Sequence, residues 1–115
     1  MSVDLFPAPS KAHADQRRAL TPDIEQAFQA FSAKVFATGA LEVKTKQLIA
    51  VACAHVTQCP YCIRAHTKLA ARAGASPQEI MEAIWVATEM RAGGAFAHSA
   101  IALEALGSDA DKPAA

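Results

Sequence analysis

Two cysteines three apart and a histidine four further on stand in the stretch TQCPYCIRAHTKLAARAG, residues 57–74. On a helix those spacings place Cys59, Cys62 and His66 on one face. Cys59 precedes Pro60 as Thr21 precedes Pro22 and Ser76 precedes Pro77. The sulfur therefore sits where two other helices carry a capping hydroxyl. A thiolate there faces unpaired backbone N–H groups and the positive end of the helix dipole, and both lower its pKa from about 8.5. Cys62 lies in the same first turn, and His66 is one turn behind it. The imidazole can accept the Cys62 proton, directly or through one water. A dithiol at a helix start backed by a base suits disulfide exchange and peroxide reduction.

Other chemistries compete for the same residues. A structural zinc site needs four ligands; Cys59, Cys62 and His66 supply three, and His55 or Cys53 would have to complete it. The second CxxC or HxxxH half is missing, which weighs against metal. Attached haem requires CxxCH, and here Ile63 follows the second cysteine. Two sulfurs that merely pack is the plainest reading, but packing does not call for a proline-led CxxC pair. Cys53 lies in an all-apolar segment and is expected to pack there, inert. His55, four residues before Cys59, either faces the same pocket or forms a polar end to its helix. His13 is expected to be exposed, His98 to mark a helix surface or subunit contact, and Trp85 and Met81 to join a core stripe.

The elements that must position this dithiol are helical, with almost no strand alternation. Residues 1–20, with Pro7 and Pro9, are expected to form an irregular arm that packs across a neighbour. A first helix over about 22–37 opens at Thr21-Pro22-Asp23 with a threonine cap, carries Ile24, Ala27, Phe28, Phe31 and Val35 at helical spacing, and ends at Gly39. A second, about 42–57, is apolar on every side from Leu48 to Ala54 and is expected to be buried all round. The third spans about 60–73, stopped by Gly74. The fourth starts at Ser76 with a capping box to Glu79 and runs to about Arg91. Gly93-Gly94 is expected to break the chain before a last helix bearing Phe96, Ile101, Leu103 and Leu106. The resulting fold class is an all-α bundle of about five main helices, with an arm at 1–20, a core at 21–107 and a flexible tail at 108–115.

The totals narrow the function. At 115 residues the chain is one domain with little core to spare. Eleven basic side chains balance eleven acidic ones, so no strong field draws nucleic acid or an anionic membrane. No run of about 18 apolar residues is present to span a bilayer. The start lacks an apolar signal core, so a cytoplasmic protein is expected, where three cysteines do not make a disulfide framework. The chain is 52% apolar but only 6% aromatic. Such an alanine-rich apolar excess suits burial against partner subunits.

From Lys44 to Leu106 the combination of KTKQLI, CPYCIRAH, GASPQEIMEA and a glycine pair resembles the AhpD-like alkylhydroperoxidase core of the carboxymuconolactone decarboxylase superfamily. The likeness spans about residues 40–106. It implies an all-α fold assembled as homotrimers or homohexamers, and thiol-dependent reduction of a hydroperoxide substrate without cofactor or metal. By that resemblance Cys62 is the peroxidatic thiol, Cys59 the resolving thiol and His66 part of the proton relay. Cys62 would pass through sulfenic acid and Cys59 would condense with it to a disulfide. A lipoyl-like or thioredoxin-like dithiol reductant would then restore the pair. The helix-start argument alone favours Cys59 as the more acidic thiol, so the two lines differ on roles. Gln47 stands where the family commonly has a relay glutamate, and glutamine takes no proton at neutral pH. Tyr61 replaces a histidine found in some members; its phenol, like His55, is a further relay candidate. The decarboxylase branch lacks this CxxC, so lactone decarboxylation is not implied. A reversible redox sensor of the same fold is the alternative to a catalyst.

Overall fold

A computed structural model describes residues 5–110, with side chains as far as Ser108. Among them are five helices and no strand: α1 (Lys11–Leu20), α2 (Pro22–Phe36), α3 (Val43–Thr57), α4 (Pro60–Arg72) and α5 (Pro77–Ala110). The all-α architecture agrees with the sequence; the division into helices differs at both ends.

The arm is only partly irregular. Ser10 caps α1 by accepting from the His13 N–H at 3.1 Å, and Lys11 pairs with Asp15 one turn on. Pro7 and Pro9 precede that helix rather than preventing it. Thr21 is consequently both the C-cap of α1 and the N-cap of α2, and its hydroxyl donates back to Arg17 O instead of capping α2. The glycine pair does not break the last helix. Gly93 and Gly94 lie within α5, flanked by helix-forming Met90, Arg91, Ala92 and Ala95. Each glycine costs about 1 kcal/mol relative to alanine, which is too little to stop a helix that has no proline beyond its first position. Helix also runs through 108–110, the start of the expected tail; residues 111–115 lie outside the described residues.

The core lies where α3, α4 and α5 meet. Val51 and Ala70 are fully buried, Ala54, Ala75 and Ala87 nearly so, and Leu48, Ile80 and Ile84 pack against them. Alanine at these contacts lets the backbones approach closely. The capping box expected at α5 is present: Ser76 Oγ accepts from the Glu79 N–H at 3.1 Å, and Glu79 Oε1 accepts from the Ser76 N–H at 2.9 Å. Lys44 reaches Glu79 at 2.8 Å and ties the start of α3 to the start of α5.

α3 is not buried all round, because in the single chain Ile49 and Cys53 face outward. Met81 and Trp85 likewise point out of the α5 core contact, at 45% and 61% exposed. The α2 stripe of Ile24, Phe28, Phe31 and Val35 also faces outward. The chain measures 64 × 36 × 35 Å with a radius of gyration of 20.7 Å. A compact chain of this length would have about 13 Å. Helices α1, α2 and the far end of α5 thus reach away from the α3–α5 core with apolar faces unburied.

Candidate functional site

The dithiol is built by the turn between α3 and α4. Gln58 takes a left-handed conformation, φ 55°, which ends α3, and the Cys59 N–H returns to Ala54 O at 3.1 Å. This 6→1 bond reverses the chain and starts α4 antiparallel beside α3. Cys59 is the N-cap: its sulfur accepts from the Cys62 N–H at 3.2 Å. The two sulfurs stand 2.7 Å apart, in hydrogen-bond contact, and both cysteines are free.

That geometry splits their acidities. The Cys62 side chain, then the backbone N–H groups of Cys62 and Tyr61, hold Cys59 below the ordinary thiol range. The same sulfur–sulfur contact, with burial and the Cys59 charge, pushes Cys62 above it. Cys59 is therefore the more acidic of the two thiols, as the helix-start argument requires. The cavity lies on the Cys62 side. Cys62 and His66 line a cavity of about 450 Å³ with Val35, Phe36, Ile49 and Cys53, whereas Cys59 is not among its walls.

His66 is held on two sides. Its Nδ1 lies 2.8 Å from Gln47 Oε1, and its ring stacks on Phe36 with centroids 5.2 Å apart. Gln47 is only 5% exposed, the one polar side chain buried in the core among the described residues. A carbonyl oxygen accepts only, so in the neutral ring Nδ1 carries the proton and Nε2 keeps its lone pair. Glutamine thus fixes the tautomer without sharing the proton.

Residues 22–105 match the sequence model of the carboxymuconolactone decarboxylase family. The chain belongs to that family. A carboxymuconolactone decarboxylase family protein from Legionella pneumophila superposes with a TM-score of 0.67 at 32% identity, over 84% of this chain and 87% of that one. A family protein from Thermotoga maritima, for which involvement in an antioxidative response has been suggested, gives 0.53 at 31% identity over 73% and 95%. Uncharacterized protein 4 of the cox locus of Paracoccus denitrificans is 58% identical over 101 residues, 88% of this chain and 90% of that protein.

In this family member the structure brings together Cys59, Cys62, His66 and Gln47. The other two relay candidates stand apart from the cavity. His55 turns to the opposite side of α3, where its Nδ1 meets Val51 O at 2.7 Å in a hollow shared with Arg91 and Thr88. Tyr61 faces the arm, its ring edge-on to Phe6 at 6.1 Å. The dithiol, His55 and Cys53 do not converge: among the described residues no group of three or more side chains is placed to hold a metal ion. Cys53 was expected to be packed and inert, yet it lines the cavity. Phe36 and Lys46 are the site residues that spacing could not reveal. Phe36 ends a helix 30 residues before His66, and nothing local signals that the two rings meet.

Proposed function

We propose that the chain is a thiol-dependent alkylhydroperoxide reductase, a disulfide oxidoreductase working through Cys59 and Cys62. The observation that carries this is the 2.7 Å contact between two free sulfurs, one of which opens onto an apolar cavity beside a tautomer-fixed histidine. Cys62, reached from the cavity, attacks the terminal peroxide oxygen. An S–O bond forms, the O–O bond breaks, and the alkoxide leaves as alcohol after taking a proton. The Cys62 proton passes first to the Cys59 thiolate or to His66 Nε2, which makes the attacking sulfur a thiolate. Cys59 then attacks the Cys62 sulfenic acid, water leaves, and the disulfide closes. An external dithiol, lipoyl-like or thioredoxin-like, takes up that disulfide and returns two thiols.

The unburied apolar faces of α2 and α5 support a homo-oligomer, a trimer or hexamer by family likeness. A free dithiol suits a reducing compartment, the cytoplasm. Gln47 favours a second reading, a redox sensor that oxidises once, because a neutral amide cannot carry protons through a cycle.

Hydroperoxide consumption with a supplied dithiol tests the proposal. Many turnovers per chain, lost in Cys62→Ser, are expected; one equivalent per chain would establish the sensor, and full activity in Cys62→Ser would end the role assignment. His66→Ala should lower the rate by roughly 10²-fold or more and change its pH profile.

A further inference from the structure

Lys46 is the one cation in the wall of the cavity that holds Cys62. It begins a single face of α3, Lys46, Ile49, Ala50, Cys53, Ala54 and Thr57, spaced i, i+3, i+4, i+7, i+8 and i+11, which forms the cavity floor. At 1.5 Å per residue this floor is about 16 Å long. Because α4 runs antiparallel to α3, Cys62 in its first turn lies toward the Thr57 end, and Lys46 lies at the other. Lys46 Nζ donates to Val35 O at 2.8 Å and to Ala37 O, closing the end of α2. An ammonium has three N–H donors, so one remains. The carbonyl end of a helix offsets roughly half a charge, which leaves the cation incompletely balanced. Among the described residues no carboxylate lies within ion-pair distance of it. An apolar trough thus has a reactive sulfur at one end and an unmatched positive charge at the other.

We infer that the cavity takes a long-chain carboxylate, its hydrocarbon along Ile49, Ala50 and Cys53 and its carboxylate on Lys46. A volume of about 450 Å³ falls within the range of small-molecule sites, about 300–1,000 Å³. The inference rests on the proposed function for the reactive end: the substrate class is then the hydroperoxide of a long-chain carboxylic acid. One hydroperoxy acid and two thiols give one hydroxy acid, one water and one disulfide. An exposed surface lysine would discriminate little, but at the rim of an apolar trough the pairing is less screened.

Binding and turnover test this separately. In the Cys62→Ser chain, which does not turn over, calorimetry with dodecanoate and dodecan-1-ol is expected to show the acid binding about tenfold more tightly, the worth of a partly buried charge pair. The preference should vanish in Lys46→Gln, whose amide can still donate to the α2 carbonyls, and survive in Lys46→Arg. Equal binding of acid and alcohol overturns the inference, as does a preference that survives Lys46→Gln or equal binding of dodecyltrimethylammonium. If no amphiphile binds and the groove is closed in the native assembly, a second copy covers it and the inference falls. Should Lys46→Gln fail to fold, the acid-to-alcohol ratio in the unaltered floor still decides. For turnover, Lys46→Gln should lower kcat/KM about tenfold more for a fatty-acid hydroperoxide than for neutral cumene hydroperoxide; equal losses on both overturn the assignment. Dodecanoate binding without any peroxide turnover would sink the peroxidase reading alone.

Discussion

The turn from α3 to α4 and the turn from α4 to α5 are made with the same backbone device and put to different use. Each has a residue at positive φ, Gln58 at 55° and Gly74 at 100°. Each closes with a 6→1 bond, Cys59 N to Ala54 O at 3.1 Å and Ala75 N to Ala70 O at 2.9 Å. A cap and a proline follow: Cys59-Pro60-Tyr61-Cys62-Ile63 in one, Ser76-Pro77-Gln78-Glu79-Ile80 in the other. Ser76 and Glu79 satisfy each other's N–H groups with oxygen, which fixes the helix start, and Glu79 also anchors it to Lys44 of α3. Cys59 performs the same capping with sulfur, and the residue three further on is a second sulfur instead of a carboxylate. Four residues beyond, His66 stands where the later turn has Ala83. The dithiol turn is thus an ordinary helix start that differs at these three side chains, and the capping bond that orders the turn also acidifies a thiol.

The sharpest way to separate the two uses is Cys59→Ser, which converts the first turn into the chemistry of the second. Dithiol-dependent peroxide turnover should fall by roughly 10³-fold or more, while thermal unfolding changes by no more than about 1 kcal/mol because a hydroxyl caps as well as the sulfur does. A large loss of stability would show that the sulfur does more for the fold than cap it.

Removing the other sulfur tests the acidity argument. In Cys62→Ala the largest cause of the lowered Cys59 pKa disappears, so thiolate absorbance near 240 nm should develop at higher pH than in a chain keeping Cys62. Titration at unchanged pH would mean that the helix start alone sets the acidity. In the second turn the matching change, Ser76→Ala, should cost about 1 kcal/mol in unfolding and leave peroxide turnover unaltered.

The Lys44–Glu79 pair gives a smaller, pH-dependent effect. The Lys44 hydrogen bond, then that of the Ser76 backbone, holds Glu79 below the ordinary carboxylate range. Its contribution is present above the unfolded pKa and is lost as pH falls through the lower folded value. The stability difference between the unaltered chain and Lys44→Met should therefore shrink once pH drops below about 4. A difference that persists in acid would assign the effect to packing of the lysine stem. The smallest change is expected from Gln58→Gly, a gain of a few tenths to about 1 kcal/mol as the left-handed residue loses its Cβ strain. No gain would mean that the Gln58 side chain repays that strain by its own contacts.

Local chemistry was legible wherever cause and effect lie within a turn of helix. The cap at Cys59, the capping box at Ser76, the stop at Gly74 and the shared face of Cys59, Cys62 and His66 all depend on neighbours three or four residues away. The helix at 11–20 was obscured by two nearby prolines, and the glycine pair overweighted as a break, because a propensity of about 1 kcal/mol per residue is easily outbid along a long helix. The all-apolar run of α3 implied burial on every side, whereas one of its faces is a cavity floor; periodicity states that a surface is apolar, not what it meets.

The amino-acid order by itself determined the helical class, the two capped turns and the pairing of the cysteines, since these follow from spacings that a helix turns into contact. Only the tertiary structure decided that Gln47 and Phe36 hold His66, that His55 turns away from it, and that Cys62 faces the cavity while Cys59 does not. Those relations join α2, α3 and α4 across 19 to 30 residues of chain. They depend on how the helices rotate against one another as alanine-lined surfaces close, and no local spacing encodes that rotation.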